Sequence, residues 1–460
     1  MCGVVGIYAP GQDVARLTFF GLYALQHRGQ ESAGIAVSDG SGIACHREMG
    51  LLSGIFDEEI LARLKGHIAV GHTRYSTTGS SVVVNAQPLL ERAPFGDVTL
   101  AHNGNLTNTE ELSASLSPET VLQATSDSEV LMKAIAQAPG ETMTARIRQV
   151  MGRAAGAYSI AMSTSDALYA FRDPWGVRPL CYGTYGDGYV FASESCALAT
   201  IGAEYVRELE PGEIIWVDRE GLHSEKTTDP RPQAFCMFEY IYFARPDSVL
   251  EGRSIYVARL EMGRQLAREH PVDADVVMAV PDSAIPGGIG FARESGLPYV
   301  EGLIKNRYIG RTFINPDQVM RDRGVDLKFN PVMENLRDLR VVVVDDSIVR
   351  GTTTPRIVKL LRDAGAREVH VRITSPPIID PCYLGVDMAT HKELIAANQT
   401  IDEIRVTIGA DSLGYLSKEG LLASVARERG EMCLGCLTGD YPETYAGSRP
   451  LAIASTSVSS

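Results

Sequence analysis

No apolar run in this 460-residue sequence reaches the roughly 18 residues needed to span a bilayer. Basic residues are in deficit: 43 Lys and Arg stand against 57 Asp and Glu, leaving a formal charge of -14. That balance argues against nucleic acid or an anionic membrane as partner, while leaving room for a local basic site. Cysteine is thinly spread, with 8 residues in the whole chain, which argues against a disulfide scaffold of the secreted type. The opening Met1-Cys2-Gly3-Val4-Val5-Gly6-Ile7 lacks the basic start and small-residue cleavage site of a signal peptide. The expected location is therefore the cytoplasm. No internal repeat is present.

What remains is ordinary globular composition, 45% hydrophobic and 22% charged, and at about 150 residues per domain the length predicts two or three domains. The first half reads as short β-branched segments joined by Gly-rich turns. Gly3 to Ala9, Ser32 to Ser38, Ile68 to Gly71, Val98 to Ala101 and Tyr158 to Met162 are predicted strands. Val14 to Gln26 is a predicted helix with Leu17, Phe20, Leu22 and Leu25 on one face, and Ser126 to Gln137 a second with Ser126 as N-cap. This is strand-rich α+β or layered α/β material. Thr227-Thr228-Asp229-Pro230-Arg231-Pro232 reads as a linker. Beyond it strand and helix alternate: Val276 to Val280, Ile285 to Glu294, Val341 to Val344, Thr354 to Ala364, Val369 to Ile373. Alternation of this kind predicts an open, mainly parallel α/β sheet. The expected division is 2–230 and 231–453, with 454–460 as a disordered tail.

Cys2 is the first candidate for chemistry. If Met1 is removed, the thiol lies beside a free α-amine of pKa near 7.7–8.0, so nucleophile and base come from one residue. The plain alternative is a buried structural cysteine. Arg74, in Gly71-His72-Thr73-Arg74-Tyr75-Ser76-Thr77, offers a planar guanidinium that grips a carboxylate with two hydrogen bonds. In Ala101-His102-Asn103-Gly104-Asn105, taken to follow a strand, the Asn103 amide and the Gly104 N–H can together stabilise a tetrahedral oxyanion. Asp127, just inside the helix that Ser126 opens, can hold a substrate ammonium. Taken singly, a surface Arg, an Asn-Gly turn and a cap-region Asp explain the same residues.

Together with His27-Arg28-Gly29-Gln30-Glu31-Ser32-Ala33-Gly34 and His102-Asn103-Gly104-Asn105-Leu106, these segments resemble the N-terminal-nucleophile glutamine amidotransferases over about the first 230 residues. The resemblance implies an αββα sandwich and glutamine hydrolysis through a thioester. It makes Cys2 nucleophile and base, Asn103 and Gly104 the oxyanion hole, and Arg74 and Asp127 the holders of the glutamine carboxylate and amine. Arg28 and Gly29 would line the site.

In the second half, the strand Val341 to Val344 runs into Asp345-Asp346 and then Ser347-Ile348-Val349-Arg350-Gly351-Thr352-Thr353 before a helix. Paired carboxylates at a strand's carboxyl end suit sugar hydroxyls or a Mg²⁺ shell, and a small-residue loop before a helix suits a phosphate. It is not a Walker A loop, because Gly-Lys-Ser/Thr is absent. The segment resembles the phosphoribosyltransferase signature. The resemblance assigns Asp345 and Asp346 to ribose hydroxyls, and Ser347, Val349, Arg350, Gly351, Thr352 and Thr353 to the 5′-phosphate. It makes Pro281-Asp282-Ser283 a pyrophosphate-side loop and sets Ser283, Asp345 and Asp346 near Mg²⁺. After Ser283 the chain departs from the usual Gly-Thr-Pro, having Ala284-Ile285-Pro286. The basic residues Lys305, Arg307, Tyr308, Arg311, Thr312 and Lys328, in a long polar stretch, fit a lid over an anionic substrate.

Cys433-Leu434-Gly435-Cys436 is a C-x-x-C pair, which by itself is redox-active, metal-binding or accidental. With Cys236 and Cys382 it makes a set that suits zinc or an iron–sulfur cluster alike. The fusion of both halves resembles the amidophosphoribosyltransferases, one branch of which carries a four-iron, four-sulfur cluster on a matching set of cysteines. Iron–sulfur is accordingly the expectation, with zinc as the alternative. The same resemblance implies glutamine and phosphoribosyl pyrophosphate as substrates, purine nucleotides as inhibitors, internal ammonia transfer and a homotetramer. Cys45, Cys181 and Cys196 are expected to be packing residues.

Overall fold

The computed structural model describes residues 2–76, 79–226, 231–306, 328–388 and 390–442. The chain divides into two compact units: Met1–Phe235 with Cys382–Asp387 and Tyr441–Ser460, and Cys236–Pro381 with Met388–Asp440. The expected boundary near 230 marks a change of composition; the short return of Cys382–Asp387 to the first unit leaves no such mark in the sequence.

The first unit is built on two antiparallel sheets. The seven-stranded sheet runs in the order Glu204–Glu208, Cys181–Tyr185, Gly188–Ala192, Gly3–Tyr8, Ile68–Arg74, Ser32–Ser38, Ile43–Met49. The six-stranded sheet runs Gly221–Lys226, Glu213–Asp218, Leu168–Arg172, Gly156–Ser163, Gly96–Leu106, Leu89–Ala93. Side chains alternate between faces along a strand, and here both faces are apolar. Val4 and Tyr8 join Ala161, Leu168 and Ala170 between the sheets. Val5 and Ile7 pack outward under Val14 and Leu22 of the helix Val14–Ala24 and Leu198 of the helix Ser195–Ile201. On the other outer face, Tyr158, Ile160 and Phe171 pack under Leu131 and Ile147 of the helices Asp127–Gln137 and Met143–Met151. Helix, sheet, sheet, helix is the expected αββα sandwich.

Two local expectations shift. Phe20 is 50% exposed, and the buried face of its helix is carried instead by Val14, Ala15, Thr18, Gly21, Leu22 and Ala24. Ser126 does stand at the N-cap of Asp127–Gln137, but its side chain makes no capping hydrogen bond.

The second unit carries an all-parallel four-stranded sheet, in the order Val276–Ala279, Arg340–Asp345, Glu368–Ile373, Ser412–Tyr415. Val341, Val343, Val369 and Val371 share one core with Ile357 and Leu361 of the helix Thr354–Asp363 and Ile404 of Ile401–Ile408. The helices Ile255–Glu269 and Ile285–Ser295 touch backbone to backbone. A Cβ at Gly263 would lie 1.9 Å from the Gly287 carbonyl oxygen, and one at Gly290 2.0 Å from that of Leu260. Gly263→Ala should therefore lower unfolding stability by about 1–3 kcal/mol through overpacking. Gly54→Ala, whose Cβ meets nothing within 4 Å, should leave it unchanged or higher; denaturant titration of both variants checks this.

Candidate active site

Cys2 stands immediately before the strand Gly3–Tyr8, whose Gly3 pairs with Thr73. A side chain at Gly3 would lie 2.6 Å from the Thr73 hydroxyl and 2.9 Å from Leu25 Cβ. Only glycine lets the strand lie this close to its neighbours and present Cys2 at its start. The Cys2 backbone nitrogen donates to Asn103 Oδ1 at 3.1 Å, and its thiol lies 3.6 Å from the Tyr75 carbonyl oxygen.

Asn103 and Gly104 do not follow a strand, as the sequence reading had it; they lie inside Gly96–Leu106. Pairing continues through Asn103 with Ser159 and Gly104 with Tyr158 to Leu106 with Gly156. Val98 to Ala101 is only the apolar part of this strand, and the polar residues beyond it stay in the ladder because Gly156–Ser163 continues alongside. The Asn103 side chain is fully buried, and its Nδ2 has no hydrogen-bond partner among the described residues. A buried amide donor left in this state costs about 1–3 kcal/mol, and such exceptions call for a functional reason. Gly104 has φ +156°, and a Cβ there would come 1.9 Å from the Ala157 carbonyl oxygen.

A pocket in this unit is lined by Cys2, Arg74, Tyr75, Ser76, Gln87, His102, Gly104, Ser126, Asp127 and Ser128. Arg74, the last residue of its strand, is buried, pairs with Glu31 and donates to the Ser80 carbonyl at 3.2 Å. Glu31 also accepts from the Ser76 N–H at 3.1 Å and from its hydroxyl at 2.5 Å. One carboxylate thus fixes both the cation and the turn that follows it. Asp127 Oδ2 accepts from the Leu106 N–H at 2.9 Å and lies 3.8 Å from His102 Nδ1. Behind it, Ser128 Oγ is 3.0 Å from both His102 Nδ1 and Gln87 Nε2. The Arg28 guanidinium is wholly buried in an ion pair with Glu194, which also holds His27 at 2.7 Å. Gly29 is needed for close approach, since a Cβ there would sit 2.5 Å from the Thr73 carbonyl oxygen.

The second unit gathers the other expected set. Asp345 ends its strand, and Asp346 is buried beside it. Asp346 accepts from the Ser283 hydroxyl at 2.5 Å and from that of Ser347 at 2.6 Å. Burial and the Asp346 charge push Asp345 well above the ordinary carboxylate range, and burial raises Asp346 against the pull of the Ser283 and Ser347 hydroxyls. Two desolvated carboxylates side by side favour a cation as neighbour, and with the Ser283 hydroxyl they form an all-oxygen set. That set fits Mg²⁺, which takes one or two carboxylates and leaves its other positions to water and substrate phosphates. Asp282 pairs with Lys305. Lys328 contributes positive charge toward both acids. Gly351, at φ +67°, turns the loop so tightly that a Cβ would meet Ile395 Cδ1 at 2.4 Å. Arg350 is held by Glu393 at 2.7 Å, while Thr352 and Thr353 are exposed before the helix Thr354–Asp363. Arg307, Tyr308, Arg311 and Thr312 lie outside the described residues, as does the 454–460 tail.

Among the described residues no cysteine is in a disulfide. Among the described residues no group of three or more Cys, His, Asp or Glu side chains is placed to hold a metal ion.

Glu31, His102, Gln87 and Ser128 were not singled out in the sequence. Glu31 lay within a quoted motif, but its role depends on the strand end that brings Arg74 to it. The family model described as a glutamine amidotransferase domain matches residues 72–200. An amidophosphoribosyltransferase of Synechococcus elongatus is 51% identical over 448 residues, 96% of this chain and 91% of that protein. One from Archaeoglobus fulgidus is 51% identical over 454 residues, 97% of this chain and 99% of that protein. The solved glutamine phosphoribosylpyrophosphate amidotransferase from B. subtilis, complexed with ADP and GMP, has a TM-score of 0.91 at 46% identity, covering 97% of this chain and 99% of that one.

Next to the pocket, burial drives the His72 imidazole down to about 3, so it is neutral and donates its Nε2–H to the His102 carbonyl at 3.0 Å. An unfolded histidine titrates near 6.5. Between those values the unfolded chain takes up a proton that the folded one refuses, so stability falls as pH drops from about 6.5 toward about 3, by up to about 1.4 kcal/mol per pH unit. His72→Gln should flatten this slope, and denaturation curves of both proteins across that window measure the difference.

Proposed function

The chain belongs to the amidophosphoribosyltransferase family, and from that premise we propose which of its residues release nitrogen and which receive it. The reaction converts glutamine, water and phosphoribosyl pyrophosphate into 5-phosphoribosylamine, pyrophosphate and glutamate, a step of purine nucleotide synthesis.

The assignment is carried by one observation: the Cys2 nitrogen bonds to Asn103 Oδ1 while Asn103 Nδ2 stays buried without a partner among the described residues. With Met1 removed, that nitrogen is an α-amine. It takes the thiol proton as Sγ attacks the glutamine carboxamide carbon. Negative charge collects on the carboxamide oxygen, where Asn103 Nδ2 and the Gly104 N–H stabilise it. The amine then returns the proton to the departing nitrogen, ammonia leaves, and water hydrolyses the thioester to glutamate. Arg74, braced by Glu31, takes the substrate carboxylate, and Asp127 takes its ammonium. Arg28 and Gly29 support the Cys2 end of the sheet through Glu194 and Thr73.

Ammonia displaces pyrophosphate at C1 of the ribose. Asp345 and Asp346 hold the ribose hydroxyls, and Ser347, Val349, Arg350, Gly351, Thr352 and Thr353 cradle the 5′-phosphate with the help of the helix N-terminus. Asp282, Lys305 and Lys328 serve the pyrophosphate side, with Arg311 assigned there by its charge. Ser283, Asp345 and Asp346 would hold Mg²⁺, which when bound would neutralise charge on the leaving pyrophosphate. Purine nucleotide inhibition is proposed because the B. subtilis relative is complexed with ADP and GMP. A homotetramer rests on family membership. A cytoplasmic location is consistent with the absence, among the described residues, of a helix long and apolar enough to cross a membrane.

Cys2→Ala should lose glutamine-dependent synthesis by several orders of magnitude while keeping synthesis from free ammonia. Asp346→Asn should lose both. Pyrophosphate release with each nitrogen source measures this, and glutamine use by Cys2→Ala would refute the assignment.

The iron–sulfur proposal for Cys236, Cys382, Cys433 and Cys436 rests on family membership and on the C-x-x-C spacing of the last two. Anaerobically purified protein should then carry about four irons and four sulfides per chain with visible absorption. Colourless protein with stoichiometric zinc would overturn it.

A further inference from the structure

The return segment Cys382–Asp387 belongs to the first unit, although the chain on both sides of it, through Pro381 and from Met388, belongs to the second. It is anchored deliberately. Arg178, wholly buried, donates from Nε to the Leu384 carbonyl oxygen at 2.8 Å and again from Nη2 to the same oxygen. Asn105 Nδ2 donates to the Tyr383 carbonyl oxygen at 2.9 Å. Leu384 and Val386 are buried. Between these anchors Gly385, at φ +101°, lies flat on Gly104: a Cβ on Gly385 would stand 2.9 Å from both the carbonyl carbon and oxygen of Gly104.

On its other side Gly104 leaves no room either, since its own Cβ would meet the Ala157 carbonyl oxygen at 1.9 Å. The peptide that follows Asn103 is therefore clamped between Ala157 and Gly385. We infer that this segment is a strap that positions the Gly104 backbone as an oxyanion donor, with Gly385 and Arg178 as positioning residues. The inference rests on the role proposed above for Gly104. An oxyanion donor contributes to the transition state and little to the ground state, so a displaced Gly104 costs kcat and not glutamine affinity.

The test is steady-state kinetics of the full-length enzyme with phosphoribosyl pyrophosphate and either glutamine or ammonia, comparing wild type, Gly385→Ala, Arg178→Lys and Cys2→Ala. The strap predicts that Gly385→Ala and Arg178→Lys lose about tenfold to hundredfold in glutamine-dependent kcat, with glutamine KM within about twofold and the ammonia-dependent rate intact. The intact ammonia rate also reports that the variants have folded. Unchanged glutamine kcat, a rise in KM alone, or parallel loss with both nitrogen sources would overturn the strap. Glutamine use by Cys2→Ala would instead locate the failure in the underlying assignment of the site.

Discussion

One hydrogen bond organises the first unit's chemistry: the nitrogen of Cys2 donates to Asn103 Oδ1. An amide that accepts through its oxygen must turn its nitrogen elsewhere, and here Nδ2 is turned into a buried position with no partner among the described residues. The same contact therefore orients both the Cys2 nitrogen and the Asn103 donor, the two groups that the proposed mechanism uses as base and oxyanion donor. Leaving a buried donor unpaired costs stability, and the protein bears that cost beside Cys2.

The rest of the unit serves to hold these two residues together. They come from different sheets, Cys2 at the start of Gly3–Tyr8 and Asn103 inside Gly96–Leu106. The sheets meet through small or flat contacts such as Gly6, whose Cβ would stand 3.3 Å from Ala161 Cβ. Outer helices complete the burial of both sheets, so neither strand is free to slide. A one-residue slip in the pairing of Gly96–Leu106 with Gly156–Ser163 would turn Asn103 to the opposite face. In the second unit the logic is electrostatic: Asp345 ends a strand with the buried Asp346 next to it, and desolvation raises both. Such a pair has little structural value and suits a cation with its substrate.

Much of this was legible in the sequence, because strand periodicity and motif residues are local properties. Gly3–Tyr8, Ser32–Ser38 and the Asp345-Asp346 strand end come from patterns within a few residues. What was missed depends on pairing across the chain. Asn103 looked like a turn residue because Asn-Gly favours turns, yet the ladder with Gly156–Ser163 keeps it extended. Glu31 and Glu194 gain their roles only when strands distant in sequence bring Arg74 and Arg28 to them. Phe20 had the right spacing for a buried face, but the helix turns Gly21 and Leu22 to the sheet instead. The Cys382–Asp387 return is a purely tertiary event.

The central claim is that Asn103 Nδ2 stabilises charge in the transition state. Single-turnover hydrolysis of glutamine by Asn103→Ala tests it most directly. The account predicts a loss of about 10²–10³ in the chemical step with glutamine affinity nearly unchanged; a near-normal rate, or a loss confined to affinity, would contradict it.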